Sequence, residues 1–492
     1  MFRFGIRKAS EKHSRTNMKD VKTTGQVFTP RWVVRKILNI CMYNGTGILG
    51  KHLMDNSCGD GAFLVAAVQN YCSAFFIKNS RNPESVERLR EDLETYIHGL
   101  DIDADAVMDC INNLDTEAAK HGLYGLNWDV RVCDTLKETS YDCKMDYVVG
   151  NPPYVRVHNL QSSYGTVKSK FSFTKSGMTD LYLAFFEIGF RMLKPTGEMC
   201  YITPNSWFMS KAASEMRDYI KRSRKLRSII DLGHEQVFDN ATTYSVISHF
   251  KNDSHSNSFR FYTYNPSSNS TVLVDTLKYD TAFTDSGLIL GTGENIGKVS
   301  RILNGHFEKK VVAKNGFATL CDDVFIGDDV PDSDFTIDVL KASTGKWTKC
   351  LYPYYCDGSL IPEDELFSDE EVMTYLESHK QDLLKGRDEF PGWYAFGRMQ
   401  AINDVCTKKV AVNCIVRDID DIKIESVDEG EGVYSGFYIL GMEADEVRRI
   451  LTTQDFIDYV KSLRKYKRGG YYTFNTKDLT MYLNAALSSQ ID

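Results

Sequence analysis

The chain has 492 residues, 42% hydrophobic and 26% charged, an ordinary globular composition with room for about two to four domains that each bury a core. Collagen-like, low-complexity and wholly disordered chains are excluded, and no apolar run reaches the roughly 18 residues of a membrane-spanning helix. Fifty-nine basic residues against 67 acidic ones give a net charge of −8, which argues against a nonspecific nucleic-acid coat but permits a local basic groove.

Residues 1–22 carry seven Lys/Arg against two acids and have no apolar core of signal-peptide length. They predict a flexible basic arm over 1–23 on a cytosolic protein. From Val21 to about Phe250, short β-branched runs alternate with helical stretches. ILGKHLMD precedes GAFLVAAVQNY, YIHGLDI precedes DADAVMDCINNL, MDYVVG ends at two prolines, and the amphipathic LYLAFFEIGFRML precedes EMCYIT. Strands separated by helices imply a doubly wound α/β fold with a mostly parallel sheet, whose ligands lie at the C-terminal strand ends. KNDSHSNSFRFYTYNPSSNSTV is a Ser/Asn-rich break holding one strand, FRFYTY. Beyond about Gly297 the βαβ rhythm is lost, so the α/β domain is set at 24–290 and an α+β domain at 291–492. Twelve cysteines sit singly in apolar surroundings without a CxxC, and the ten histidines form no pair at metal spacing. Buried free thiols and no metal are expected.

Four strand ends carry chemistry. Asp55-Asn56-Ser57-Cys58-Gly59-Asp60-Gly61 is a glycine-containing strand-to-helix turn. Its acids oppose a diphosphate and suit a cationic ligand, such as the methionine part of S-adenosylmethionine; a plain tight turn is the alternative. In Gly99-Leu100-Asp101-Ile102-Asp103, Asp101 is positioned for ribose hydroxyls and Asp103 as a helix cap. Asp134, in VRVCDTL, can accept from an adenine amine. Asn151-Pro152-Pro153-Tyr154 follows a buried strand, and the prolines make a stiff bracket of carbonyls. With the Asn151 side-chain oxygen, that bracket can accept both hydrogens of an exocyclic amine, and Tyr154 offers a stacking face.

These motifs, in this order, resemble the gamma-class DNA adenine-N6 methyltransferases, from about Thr24 to Phe250 by specific motifs and to the C-terminus by layout. The resemblance implies a class I, Rossmann-like catalytic domain over 24–290 with S-adenosyl-L-methionine as cofactor, followed by a DNA target-recognition domain. It implies that GQVFTP closes over the cofactor through Thr29 and Pro30. Asp55, Ser57, Cys58, Gly59 and Gly61 would hold the methionine moiety. Asp101 would take the ribose, Ile102 pack on the adenine and Asp134 bind its amine, with Phe185 beside that ring or simply in the core. Asn151, Pro152, Pro153 and Tyr154 would be catalytic, with Phe238 stacking on a flipped base or serving as a strand-end core residue. The family's usual Glu in the cofactor loop is Asp here, Asp60 stands where small residues are frequent, and NPESVERLREDLETYI is an extra polar helix.

In the second domain, Arg398 in WYAFGRMQ, Lys408-Lys409, and Lys465, Lys467 and Arg468 in KSLRKYKRGGYYTF suit DNA contact; exposed basic loops are the alternative. The basic cluster at 206–227 belongs to a solvated helix, and the seven aspartates between Asp322 and Asp338 to a solvated face. Double-stranded DNA is the expected partner, with a cognate restriction endonuclease beside it and no membrane, in a prokaryotic or phage-encoded cytoplasmic protein. A modification subunit of a multisubunit system is disfavoured, because only some two dozen residues precede GQVFTP. An RNA or protein-glutamine methyltransferase is disfavoured by the large trailing domain.

Overall fold

The computed structural model describes residues 29–159, 164–238, 243–385 and 392–488. The basic arm and residues 25–28 of GQVFTP lie outside the described residues. The chain divides into two units, Met1–Ile296 and Gly297–Asp492.

The first unit is built on nine strands: β1 (Leu53–Asp55), β2 (Ile97–Asp101), β3 (Asp129–Val132), β4 (Met145–Gly150), β5 (Leu193–Pro204), β6 (Leu226–Asp231), β7 (Ser245–Lys251), β8 (Ser258–Asn265) and β9 (Ser270–Lys278). They form one sheet in the order β3-β2-β1-β4-β5-β7-β6-β8-β9. Neighbours from β3 to β5 run parallel, β7 is antiparallel to both β5 and β6, and β8 pairs parallel with β6 and antiparallel with β9.

Both faces are covered. Helices α1 (Arg31–Ile40), α2 (Ala62–Lys78), α3 (Pro83–Tyr96) and α4 (Ala104–Ala119) supply much of one core, which includes Cys200 and Ile202 of β5 and Ile247 of β7. Successive strand residues point to opposite faces. Tyr201 and Phe250 therefore face the other side, where both rings meet Phe186 of α5 (Tyr182–Met192). Burial on two faces explains why β4 and the end of β5 are runs of apolar residues rather than alternating ones. It also explains how β1 survives at three residues. Leu53 and Met54 are fully buried, and each such side chain contributes about 1.5–3 kcal/mol relative to exposure. The extra polar helix is α3, opened by a capping box between Asn82 and Ser85 with Pro83 in its first turn.

The second unit contains a four-stranded sheet of 312–315, 437–440, 409–412 and 424–427, with two three-stranded sheets and several short helices. Its cysteines bring a correction. Cys356 and Cys406 form a disulfide between residues 50 apart, a pairing that single cysteines in apolar text cannot announce. Among the ten free cysteines, Cys41, Cys58, Cys72, Cys110, Cys200 and Cys350 are buried as expected, whereas Cys143 is exposed. No helix among the described residues is long and apolar enough to cross a membrane.

Candidate functional site

The carboxyl ends of β1, β2, β3 and β4 bring the four motifs together. The chain leaves β1 at Asp55 and turns through Gly59 (φ +52°) and Gly61 (φ +89°) into α2. A Cβ on Gly61 would lie 2.6 Å from Cys110 Sγ of α4, so glycine is needed there for conformation and for space. Asp55 is buried, and its Oδ1 accepts from Ser57 N at 3.1 Å. Burial pushes its carboxyl up to about 8; the Ser57 hydrogen bond opposes that rise, and the nearby Asp101 and Asp60 carboxylates add to it.

Asp101 ends β2 and grips the same turn, accepting from Gly59 N at 2.8 Å and from Asp103 N at 3.0 Å. Ile102 follows, largely exposed and open to a ligand. Asp103 caps α4, accepting from Asp105 N and Ala106 N. Cys58 N donates to Leu100 O, and Cys133 N to Asp101 O, lacing the three loops together. Asp134 lies just past β3, where Lys137 Nζ meets it at 3.0 Å. Thr135 Oγ1 donates to Asn56 O, and Tyr201 OH of β5 donates to Asn56 Oδ1 at 2.9 Å. The Nδ2 of that fully buried Asn56 has no partner among the described residues.

β4 delivers Gly150 against Asp55, since a Cβ on Gly150 would stand 2.8 Å from Asp55 Oδ1. Asn151-Pro152-Pro153-Tyr154 follows. Ser57 Oγ donates to Asn151 O at 3.4 Å, and Asn151 Nδ2 donates to Thr29 Oγ1 at 3.2 Å. The second bond gives the Asn151 amide an orientation in which nitrogen faces Thr29 and Oδ1 faces the other way. Pro30 then starts α1, its carbonyl accepting from Val33 N and Val34 N. Tyr154 OH donates to Ile202 O at 3.3 Å, and burial raises the phenol's pKa well above its ordinary value. Phe238 is buried with its ring centroid 6.0 Å from that of Tyr154, at 72°. A base between two parallel rings needs a contact of about 3.5–4 Å on each side, so the pair as it stands is closed and edge-on.

Hydrogen bonds thus join Thr29, Asn151, Ser57 and Asp55, another joins Gly59 to Asp101, and ring contact joins Tyr154 to Phe238, with the chain itself linking the three sets. Phe185 is buried in α5 and takes part in none of these contacts. The link from Thr29 to Asn151 and the Tyr201–Asn56 brace had no sequence signal, because each joins residues more than a hundred positions apart.

The basic residues of the second unit divide. Arg398, Lys467 and Arg468 are exposed, the last two next to Gly469 (φ +79°) and Gly470 (φ +82°). Lys465 is half-buried, its ammonium held by the buried carboxylate of Asp478. Lys408 pairs with Glu443 at 2.9 Å. Lys409 is buried and donates to the carbonyls of Asp404, Val405 and Thr407, and burial draws its ammonium down to about 8. In the cluster at 206–227, Arg217 is buried as well, bonding to Trp207 O and Ser210 O, so that helix is not simply solvated.

Residues 62–238 match the Eco57I restriction-modification methylase family. The chain is 28% identical over 229 residues to the Type II methyltransferase M.BstVI of Geobacillus stearothermophilus, covering 44% of this chain and 40% of that protein. It is 25% identical over 286 residues to the Type II restriction enzyme and methyltransferase RM.Eco57I of Escherichia coli, covering 48% of this chain and 28% of that protein. The chain therefore spans less than half the length of these curated relatives. The DNA-bound Type IIL restriction-modification enzyme MmeI shares the fold over 93% of this chain and 64% of its own, with a TM-score of 0.61 at 14% identity. Over residues 62–238 the chain is thus similar to Eco57I restriction-modification methylases.

Proposed function

We propose that this protein is an S-adenosylmethionine-dependent DNA methyltransferase of a restriction-modification system, acting on the N6 amine of an adenine extruded from duplex DNA. The observation that carries the reading is the joining of Asn151-Pro152-Pro153-Tyr154 to the acidic turn at Asp55 through Ser57 and Gly150. The cofactor fits the residues present. A buried carboxyl with its pKa raised calls for a cationic partner, the glycines leave backbone open to close approach, and Asn56 Nδ2 is a buried donor in want of an acceptor. When bound, S-adenosylmethionine supplies a methyl on a sulfonium, already activated for displacement.

The chain's own task is to make a poor nucleophile attack. The amine's lone pair is delocalised into the adenine ring. Asn151 Oδ1 and a carbonyl of the Pro152-Pro153 bracket accept its two hydrogens, favouring the pyramidal form in which the lone pair is free. Thr29 acts as a positioning residue, tethering the Asn151 side chain through its hydroxyl at the place where the amine arrives. Tyr154 stacks on the base, and Phe238 swings from its edge-on contact to cover the opposite face. Transfer is direct, needing no covalent enzyme intermediate, and the proton leaves to water once the amine is methylated. Base extrusion costs a few kcal/mol (an order of magnitude), offset by stacking and hydrogen bonds in the pocket. The second unit is read as the target-recognition domain, touching DNA through Arg398, Lys467 and Arg468, with a cognate endonuclease as the protein's counterpart in the cell.

Asn151→Ala tests the reading. Methyl incorporation into DNA is expected to fall to background, with cofactor affinity changed no more than a few-fold; near wild-type turnover refutes the amine-acceptor role.

A further inference from the structure

Away from the strand ends just described, a second convergence of side chains sits beneath α1. Cys200 and His249 are direct cross-strand partners on β5 and β7, and Glu198, two residues before Cys200, shares their face of the sheet. Cys41 closes the C-terminal end of α1 above them, where the chain turns at Met42 (φ +52°) and Tyr43 N returns to Leu38 O. Cys41 Sγ and one ligating atom each of Glu198 and His249 lie within 4.8 Å of one another. The Cys200 thiol neighbours Cys41 in the same buried core. None of this is surface chemistry: Cys41 and Cys200 are fully buried, and the His249 and Glu198 side chains are only 10% and 12% exposed.

We propose that Cys41, Cys200, Glu198 and His249 form a structural zinc site that fastens the C-terminal end of α1 to strands β5 and β7. The donor set is the mixture of thiolate, imidazole and carboxylate that Zn2+ takes in tetrahedral sites. Zinc bonds of about 2.0–2.3 Å set ligand atoms roughly 3.5 Å apart, so Cys41, Glu198 and His249 need adjustments of an ångström or so, while Cys200 stands outside that group and must turn further inward to complete the shell. The two carboxylate oxygens are already divided. Glu198 Oε1 faces Lys251 Nζ at 3.7 Å, while Oε2 lies 2.8 Å from His249 Nε2, on the side of the thiols. Loading removes the protons of both thiols and leaves Nε2 as a bare acceptor. The dication offsets two of the three charges of two thiolates and one carboxylate, and the Lys251 ammonium, shared with Asp253 at the edge of the site, stands beside the third.

Sequence spacing could not show this site, since its ligands come from one helix end and two strands more than 150 residues away. Its consequence is mechanical: α1 is the helix whose first residues follow Thr29, so anchoring its far end steadies the segment that meets Asn151. The ion-binding inference itself does not depend on the methylation reading.

The test uses the full chain, purified without chelator, with Zn2+ and then Co2+ as probes. Elemental analysis is expected to give one zinc per chain, and Co2+ exchange to produce a thiolate-to-metal charge-transfer band in the near ultraviolet. Both should be lost in Cys41→Ser/Cys200→Ser, and the zinc content should fall in His249→Gln. Failure to take up zinc on incubation overturns the proposal, as does Co2+ binding without the thiolate band. Full zinc content in the double variant overturns it too. Should the double variant fold poorly, the cobalt spectrum of the unaltered protein still decides.

Discussion

Asp55 concentrates the electrostatics of the site in one side chain. Its carboxyl is buried and titrates near 8, so at neutral pH it is mainly protonated. A bound ammonium group stabilises the charged form and draws the pKa down. Cofactor binding at pH 7 is therefore expected to release a proton, with affinity falling as pH drops below about 8, approaching tenfold per unit. Calorimetry in buffers of different ionisation enthalpy measures the release directly; no proton transfer would detach Asp55 from the cationic end of the ligand. At this scale the sequence was most informative where chemistry needs a rare local pattern. Asn151-Pro152-Pro153-Tyr154 and the Asp55–Gly61 turn are legible because few other residue choices give a stiff carbonyl bracket or an acidic open turn. Thr29 was legible only by resemblance and as a cofactor contact, because its hydrogen bond to Asn151 spans 122 positions. Phe185 illustrates the opposite limit: an aromatic on an apolar helix reads the same whether it faces a ligand or the core.

Elements place these residues, and the tightest junction is the entry to α2. Gly61 has φ +89°, and any Cβ there meets Cys110 Sγ at 2.6 Å and Cys110 backbone at 3.4 Å. Gly61→Ala is expected to lower stability by about 1–3 kcal/mol through strain and displacement of α4, read from urea unfolding, and to weaken cofactor binding beyond that. An alanine variant with unchanged midpoint and affinity would show the turn to be tolerant. The strands and helices of the first unit were readable from β-branched runs and apolar periodicity. Their order in the sheet was not, because β7 inserts between β5 and β6, and only long-range pairing fixes that choice. FRFYTY was visible as a strand, yet nothing local indicated its parallel partner β6.

For the molecule as a whole, burial separates basic side chains that reach solvent from those drawn inward. Lys465 and Lys409 satisfy groups inside their own unit, whereas Lys467 and Arg468 are exposed. Neutralising Lys467 and Arg468 should weaken DNA binding and reduce the slope of log K against log salt by about 0.9 for each phosphate that is no longer neutralised. Removing Lys409 should instead lower stability and leave that slope unchanged. Binding measured at several salt concentrations checks both, and an unaltered slope in the double variant takes the segment out of the interface. A basic cluster in sequence counts charges without revealing their partners, so KSLRKYKR reads as uniform although Asp478 occupies Lys465. The disulfide between Cys356 and Cys406 is hidden from the sequence for the same reason.

The most direct test of the central claim is the chemical identity of the methylated product. Duplex DNA incubated with the protein and isotopically labelled S-adenosylmethionine, then digested to nucleosides, should carry the label in N6-methyladenine alone. Label in 5-methylcytosine, which requires attack by a ring carbon, would contradict an amine presented to an Asn-Pro-Pro-Tyr corner, and so would a persistent absence of label.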